Sequence, residues 1–367
     1  LIVMKQYGAI LLVLIVVIVS LVLFNAFANE PTTIVYVSEI SRHGARTPGT
    51  LFDFAKDPND EFTHRMQLTP VGRRQHFLIG HEIKNRYIHS QQVIDRRYDA
   101  EQVEFFATDT DRAIDSAISQ LGGVFPPSEP MNFLNEHQRK NAVPPINVVN
   151  ARRIDQQLQT VAIPFNVLPI FSERDDVNFA LHFEKADCPA YQQKRTELQQ
   201  SQEYAEMNAP HLEHLKPRLE ELTGITEGMD QDKINSICSY LLIADFHKIE
   251  LKFDVTEQDY EHCYELNRLK LFHVSWGHDL LWQLGSKVFY ENLIEAMDNI
   301  RDGNTQAKMQ LNFGHDYGIS LMLNGLGVQH PDKIPFASTI FYELHKRGGD
   351  YYVRTQYNDR SLTFGEC

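Results

Sequence analysis

Residues 33–48 read TIVYVSEISRHGARTP and decide the class of fold. Residues 33–37 are β-branched or aromatic, a pattern that is typical of a buried strand. The strand leads into a short loop in which Arg42 and Arg46 flank His43. Ligand sites of open α/β sheets lie just beyond the carboxyl ends of their strands. This loop is therefore the first candidate for a functional site.

The composition of the loop indicates an anion site. Guanidinium groups bind phosphate oxygens in a forked geometry, so Arg42 and Arg46 together favour a phosphate. Their charges also disfavour the imidazolium form of His43, which leaves a ring nitrogen free to attack phosphorus. Gly44 permits close approach of the backbone, and Pro48 stiffens the exit from the loop. A single Arg-His pair more often belongs to a solvated surface loop, and a functional site requires further residues of matching chemistry.

Two later segments end in residues of matching chemistry. Residues 103–107 predict a second strand, and residues 108–112 (TDTDR) then begin a helix whose N-terminus favours anions. Residues 308–313 alternate apolar and polar, as a strand does, and are followed by Gly, His315 and Asp316. A second histidine can donate to a phosphoryl oxygen, and a carboxylic acid can protonate a leaving alkoxide. Three strand ends meeting in one crevice predict a single phosphate-transfer site.

The order of strand and helix signals predicts an α/β fold. We expect an open, mixed but mostly parallel sheet flanked by helices in three layers. Residues 181–264 are instead rich in Glu, Gln, Lys, Leu and Tyr with few strand signals, and they predict a mainly helical insertion or cap domain. Residues 29–180 and 265–367 then form the α/β catalytic domain.

The helix after the first loop and the last strand are the most specific of these structural predictions. Thr69 and Pro70 supply an N-cap and a proline at the first helical position, and the helix should reach about Tyr87. The expected core-facing residues are Val71, Leu78, Ile79 and Ile83. Residues 351–357 predict a late antiparallel strand at an edge of the sheet.

Charge and the N-terminal segment limit the partners and the compartment. The formal charge of −14 argues against nucleic acid, whose backbone needs a positive surface. Residues 1–28 are almost wholly apolar apart from Lys5 and end in Ala-Phe-Ala, which predicts a cleaved signal peptide and a secreted, lysosomal or vacuolar protein. An uncleaved anchor is the open alternative, because the apolar run approaches the ~20 residues that span a bilayer. It would hold the protein on a membrane.

Taken together, the motifs resemble the histidine acid phosphatase family. The first loop matches the pattern R-H-G-x-R-x-P at every fixed position, and His315-Asp316 follows downstream. Residues 108–112, with Phe125-Pro126-Pro127, are similar to the prostatic and lysosomal branch. The resemblance implies an acid phosphatase that hydrolyses small phosphate monoesters and needs neither a metal nor a cofactor. Dimers occur in the family, so the resemblance also allows a homodimer.

The resemblance assigns a role to each motif residue. His43 would be the nucleophile and Asp316 the general acid. The residues that would bind phosphate are Arg42, Arg46, Arg112 and His315. Two alternatives stay open: a phytase-like hydrolase of inositol phosphates, and a non-catalytic relative that serves as a phosphate-binding or adhesion protein.

Some residues imitate or depart from the family pattern. Gly277-His278-Asp279 repeats the letters of residues 314–316, but it precedes a helical pattern instead of closing a strand, so we expect no catalytic role. A metal site is not expected from the histidines of residues 64–89, which lie on different helical faces. Phe106 stands where the family usually has arginine.

The four cysteines give an open disulfide pattern. Thr339 occupies the position of a family disulfide cysteine, so Cys238 lacks its expected partner and pairs either with Cys263 or with none. The other two cysteines, Cys188 and Cys367, are then predicted to form a long-range bridge.

Overall fold

The computed structural model describes residues 32–56, 62–126, 134–142, 144–146, 148–158, 168–328 and 333–364. The described strands form one seven-stranded sheet in the order β3-β2-β4-β1-β5-β6-β7. The strand bounds are β1 Thr33–Arg42, β2 Val103–Thr108, β3 Phe171–Glu173, β4 Met309–Gly314, β5 Thr339–Arg347, β6 Asp350–Tyr357 and β7 Arg360–Ser361.

The sheet has a parallel core and an antiparallel flank. Strands β3, β2, β4 and β1 are parallel neighbours, whereas β5, β6 and β7 continue the sheet in antiparallel pairs beyond β1. The predicted α/β class, with a mixed sheet flanked by helices, is confirmed. The predicted late strand is antiparallel as expected, but the two-residue β7 lies outside it, so β6 is not at the edge.

Helices connect the strands and cover both faces of the sheet. Their bounds are α1 Pro70–Ile83, α2 Asp111–Val124, α3 Glu136–Asn141, α4 Ala151–Leu158, α5 Pro189–Gln199, α6 Gln202–Thr223, α7 Gln231–His247, α8 Glu257–Leu271, α9 Asp279–Arg301 and α10 Asp316–Gly325. Two of them, α1 and α8, continue as π-helical segments, Lys84–Ser90 and Phe272–Trp276.

The predicted core face of α1 is partly wrong. Ile83 is buried, but Val71 and Leu78 are exposed, and the buried positions nearer the N-terminus include His76. The reason is the close approach of α2: a Cβ on Gly80 would lie 1.9 Å from the Gln120 carbonyl oxygen. The two helices meet backbone to backbone, which turns their apolar neighbours away from the contact.

The helical middle of the chain has a hydrophobic cluster of its own. Helices α6, α7 and α8 pack around Leu215, Leu241 and Leu266, and Phe54 joins them. The disulfide Cys238–Cys263, one of the two outcomes left open above, links α7 to α8. The domain boundaries at 181 and 264 stay a prediction.

The other predicted bridge, between Cys188 and Cys367, stays a prediction. Cys188 carries no disulfide within the described residues, and its predicted partner Cys367 lies outside them. The predicted signal or anchor segment, residues 1–28, also lies outside the described residues. Among the helices that are described, none combines the length and the apolar character needed to cross a bilayer.

Candidate active site

The three predicted strand ends meet at one edge of the sheet. Strand β4 lies between β1 and β2, with Arg42 opposite Gly314 and Ala107 opposite Phe313. The residues that follow these strands therefore share one crevice at their carboxyl ends, where open α/β sheets bind ligands. The sequence predicted this convergence.

Hydrogen bonds from backbone N–H groups hold the loop of residues 42–48 against β4 and α2. The His43 N–H donates to the Gly314 carbonyl at 2.9 Å, and the Gly44 N–H donates to Ser116 Oγ on α2 at 3.1 Å. The loop also touches α1 so closely that a Cβ on Gly44 would lie 2.5 Å from the Gly72 carbonyl oxygen. Only glycine fits at this contact, which explains its place in the motif.

His43 is arranged as a nucleophile. Its Nδ1 lies 2.8 Å from the Gly44 carbonyl oxygen, which can only accept, so Nδ1 carries the proton and Nε2 carries the lone pair. The side chain is 3% exposed. Burial, and after it the charge of Arg42, holds the pKa of His43 well below its ordinary value. The ring is therefore neutral, with Nε2 free to attack an electrophile.

Three guanidinium groups surround this histidine. The buried Nε atoms of Arg42, Arg46 and Arg112 have no hydrogen-bond partner within the described part of the chain. The Arg42 guanidinium also lies over the ring of Phe336, with Cζ 4.3 Å from the ring centroid. Buried cationic donors without partners are costly unless an anion binds between them. The cluster is therefore suited to a phosphate.

Burial also affects the charge of the cluster itself. It lowers the pKa of Arg46 to about 10, and the neighbouring Arg42 charge acts in the same direction. A bound dianion would relieve that mutual repulsion, because it places opposite charge between the guanidinium groups.

His315 lies against this cluster with both ring nitrogens in contact. Arg112 Nη2 donates to Nδ1 at 3.2 Å, so the proton is on Nε2, which donates to Thr108 Oγ1 at 3.0 Å. The ring packs edge-on against His43, with 5.4 Å between centroids. In this arrangement His315 orients Arg112, and its direct contact with phosphate stays a prediction.

Asp316 begins helix α10 beside the arginines. Its Oδ2 lies 2.8 Å from Arg42 Nη2, and its Oδ1 accepts from the Tyr317 N–H. Burial alone would raise the pKa of Asp316, but the nearby cations, Arg42 foremost, outweigh burial and hold that pKa below its ordinary value. Asp316 is therefore ionised until an anion neutralises the cluster.

Four residues of the site were missed at the sequence level. His182 is hydrogen-bonded to Asp175 and packs against the His315 ring, with 4.5 Å between centroids. Phe336 lies on Arg42, and the charge of Lys333 acts on Asp316. All four lie outside the helices and strands, on segments with no periodic pattern. The sequence around them therefore does not predict that they belong to the site.

The second Gly-His-Asp sequence has a structural role, as expected. His278 is the N-cap of α9, where its Nδ1 accepts from the Leu280 N–H, and Asp279 accepts from Trp282 Nε1. The same letters thus cap one helix at the surface and build the site at another.

Comparisons with known proteins show which family the chain belongs to. The family model for the histidine phosphatase superfamily (branch 2) matches residues 60–358. Bovine prostatic acid phosphatase is 25% identical over 346 residues, which cover 90% of this chain and 80% of that protein. Human lysosomal acid phosphatase is 23% identical over 335 residues, covering 89% of this chain and 71% of its own.

Solved structures show the same fold at low identity. A multiple inositol polyphosphate phosphatase from Bifidobacterium longum, in complex with inositol hexasulfate, has a TM-score of 0.57 at 13% identity and covers 93% of this chain and 91% of its own. Hafnia alvei phytase, in complex with myo-inositol hexakis sulphate, has a TM-score of 0.55 at 15% identity and covers 89% of this chain and 84% of its own. Because the matched range, residues 60–358, covers well over half of the chain and includes His315-Asp316, the chain belongs to the histidine phosphatase superfamily, branch 2.

Proposed function

We propose that the protein is an acid phosphatase that hydrolyses small phosphate monoesters through a covalent phosphohistidine on His43. One observation carries the proposal: a neutral imidazole with a free Nε2 lies among three arginines whose buried Nε donors lack partners in the described structure. The chain is similar over most of its length to prostatic and lysosomal acid phosphatases, which supports the proposal.

The first half-reaction transfers the phosphoryl group to the protein. Arg42, Arg46 and Arg112 hold the phosphate oxygens, and the transition-state charge on those oxygens strengthens the contacts. His43 Nε2 attacks phosphorus in line, so an N–P bond forms while the ester P–O bond breaks. Asp316 gives its proton to the leaving oxygen, which departs as the alcohol.

The second half-reaction regenerates the enzyme. The ionised Asp316 now accepts a proton from water, whose oxygen attacks phosphorus as the N–P bond breaks. The electron pair of that bond returns to His43 Nε2, and inorganic phosphate leaves. The arginine cluster holds the phosphoryl oxygens in both steps, so one site performs the whole cycle.

The charge of the substrate sets the protonation of Asp316. In the free protein the cations hold the pKa of this carboxyl low. A phosphate dianion neutralises those cations and places negative charge beside the carboxyl, and both effects raise its pKa. Asp316 therefore becomes an acid when a substrate is bound.

Activity should rise toward acid pH. Asp316 must be protonated in the complex, which requires low pH, while the depressed pKa of His43 keeps that nucleophile neutral there. We expect kcat for an alkyl phosphate to be higher at about pH 5 than at about pH 7.5. Steady-state kinetics between about pH 4 and about pH 8 check this. An alkyl-phosphate kcat that falls steadily on acidification would contradict the assignment.

The phytase alternative depends on the entrance to the site. A hexakisphosphate needs many cations at the pocket mouth, but the wall beside Arg42 is Phe336, which contacts the exposed Phe246 on α7 with 5.2 Å between ring centroids. Lys333 is a further cation near Asp316. Likeness to phytase structures at such low identity concerns the fold alone.

A substrate panel separates the two activities. We expect kcat/KM for p-nitrophenyl phosphate to exceed that for inositol hexakisphosphate by about tenfold or more, since a phosphate that lies against Phe336 and Phe246 without a cationic partner is disfavoured. Phosphate release is measured for both compounds at one acid pH. Equal or higher kcat/KM for the hexakisphosphate would make the phytase assignment the better one.

The alternative of a different class is a binding or adhesion protein without turnover. The six motif residues, His43, Asp316, Arg42, Arg46, Arg112 and His315, are all retained, which favours catalysis. A p-nitrophenyl phosphate assay with the His43→Ala variant as its blank decides between them, because a binding protein would give no signal above that blank.

The compartment is proposed on the same basis. Prostatic and lysosomal relatives and the disulfide Cys238–Cys263 favour a secreted or lysosomal protein. We propose that residues 1–28 direct the chain into the secretory pathway. Sequencing the N-terminus of the mature protein distinguishes a cleaved signal from an anchor.

A further inference from the structure

Three buried polar side chains lie in a row directly behind the loop of residues 42–48. Gln120 Nε2 on α2 is 2.6 Å from Glu39 Oε2 on β1, and Gln120 Oε1 is 2.8 Å from His76 Nδ1 on α1. His76 Nε2 is in turn 3.0 Å from the carbonyl oxygen of Arg42. All three side chains are 0% exposed. We call this row the Glu39–Gln120–His76 relay.

The last contact of the relay fixes one proton. A carbonyl oxygen only accepts, so His76 must carry a proton on Nε2. In one arrangement His76 also carries a proton on Nδ1, and the resulting imidazolium balances an ionised Glu39. In the other, Glu39 is a neutral acid that donates to the Gln120 oxygen, and the Gln120 amide donates to Nδ1 of a neutral His76. The second arrangement differs from the first in the position of one proton and in a half-turn of the Gln120 side-chain amide.

Among the residues that the structure describes, no cationic side chain acts on Glu39. The residues paired with it on β4 and β5 are the apolar Leu311 and Phe341. The acidic Glu343 on β5 accepts from the Tyr87 hydroxyl and so has a partner of its own. The charged arrangement would separate two opposite charges across an amide in a dry interior, which is costly.

The shifted pKa values of Glu39 and His76, the two ends of the relay, agree with the neutral arrangement. Burial raises the pKa of Glu39 to about 8, although the hydrogen bond from Gln120 opposes it. Burial lowers the pKa of His76 to about 4. Between these values the carboxyl keeps its proton and the imidazole stays neutral.

The relay acts on the peptide unit that carries the nucleophile. The carbonyl of Arg42 and the N–H of His43 belong to the same peptide group, and His76 holds the first while the Gly314 carbonyl accepts from the second at 2.9 Å. A peptide plane that is held from both sides cannot rotate, so the direction of the His43 side chain is set.

We propose that Glu39, as an uncharged carboxylic acid, acts with Gln120 and His76 as a positioning device for the nucleophile. The catalytic consequence rests on the proposed phosphatase activity, whereas the protonation of Glu39 does not. The relay touches no reacting atom and operates only through the Arg42–His43 peptide.

The kinetic test uses variants that keep or remove the hydrogen-bonding donor. Glu39→Gln offers an uncharged N–H donor at the same place, and we expect its kcat within about twofold of the wild type. Glu39→Leu removes the donor, and kcat should fall about tenfold to a hundredfold with little change in KM, because the nucleophile is misplaced while the arginines still bind phosphate. The values are normalised to the fraction of folded protein in each preparation, so that unfolded protein does not lower the measured kcat.

A double variant tests whether the row acts as a unit. Gln120→Leu should lower kcat as Glu39→Leu does, and the two together should lower it no further than either alone. Equal impairment of Glu39→Gln and Glu39→Leu, or additive losses in the double variant, would overturn the positioning role.

The protonation state of Glu39 can be measured by infrared spectroscopy, which does not depend on enzymatic activity. The infrared difference between the wild type and Glu39→Gln at about pH 6 should contain the C=O band of a protonated carboxyl group. A carboxylate band in its place would overturn the neutral relay even if the kinetics agreed. If the protein shows the band of the protonated carboxyl group but has no phosphatase activity, the proposed function is refuted and the neutral relay still stands.

Discussion

The His43→Ala variant is expected to lose turnover of phosphate monoesters by about 10⁵-fold or more. The change removes Nε2, the free lone pair at the centre of the arginine cluster, and no other group of the site replaces it as nucleophile. Phosphate should still bind, because the guanidinium groups remain. Assays of turnover and of inhibition by inorganic phosphate on the same preparation therefore check both expectations.

The chain contains its own control for that variant. His278 stands in an identical Gly-His-Asp triplet, but it caps α9 and lies outside the site. His278→Ala should keep the wild-type kcat and lose only some thermal stability, since it removes a helix cap. Rapid quenching should trap phosphoenzyme in His278→Ala and none in His43→Ala. Phosphoenzyme in the latter would place the nucleophile elsewhere.

The Asp316→Asn variant should separate substrates by their leaving groups. We expect kcat for an alkyl phosphate to fall by about 10² to 10⁴, because an alkoxide leaves slowly without a proton. The loss on p-nitrophenyl phosphate should be much smaller, because p-nitrophenolate needs little protonation. The ratio of the two losses is the measurement, with Asp279→Asn from the second triplet as the matched control.

The ratio also distinguishes proton transfer from positioning. Asp316 is paired with Arg42, so the variant disturbs a phosphate-binding residue as well. A disturbed Arg42 would weaken both substrates alike and raise KM. Equal losses on the two substrates would therefore assign Asp316 to the positioning of Arg42 and not to acid catalysis.

The sequence predicted the parts of the site that follow regular strands. Alternation and β-branched runs located β1, β2 and β4, and parallel strands bring their carboxyl ends together. His43, Arg112 and His315 were therefore expected in one crevice, and the structure places them there. His182 and Lys333 come from irregular segments far along the chain, and only tertiary packing brings them to the site.

The prediction of the buried face of α1 was partly wrong for a physical reason. Hydrophobic spacing counts Val71 and Leu78, whereas the contact with α2 is made by Gly80 and the buried His76. Glycine contributes no apolar signal, and histidine is usually assigned to the surface. A helix that approaches its neighbour backbone to backbone is therefore easily read in the wrong orientation.

The Glu39–Gln120–His76 relay has a consequence for the stability of the folded protein. Between the ordinary values of 4.5 for glutamate and 6.5 for histidine, the unfolded pair holds two protons, both on His76. The folded relay also holds two, one on Glu39 and one on His76. Because folding then neither takes up nor releases a proton at this pair, its contribution to the unfolding free energy is constant across that window.

Outside this pH window the folded and unfolded forms of the pair no longer bind the same number of protons, so stability depends on pH on both sides. Below about pH 4.5 the unfolded glutamate takes up a third proton, so stability falls on acidification. Above about pH 6.5 the unfolded histidine releases a proton that the folded relay keeps until Glu39 titrates near 8, so stability falls as the pH rises. A lone buried neutral histidine would instead lose about 1.4 kcal/mol per pH unit on acidification below its ordinary pKa. Pairing it with a buried acid thus gives the fold a plateau of stability in acidic surroundings.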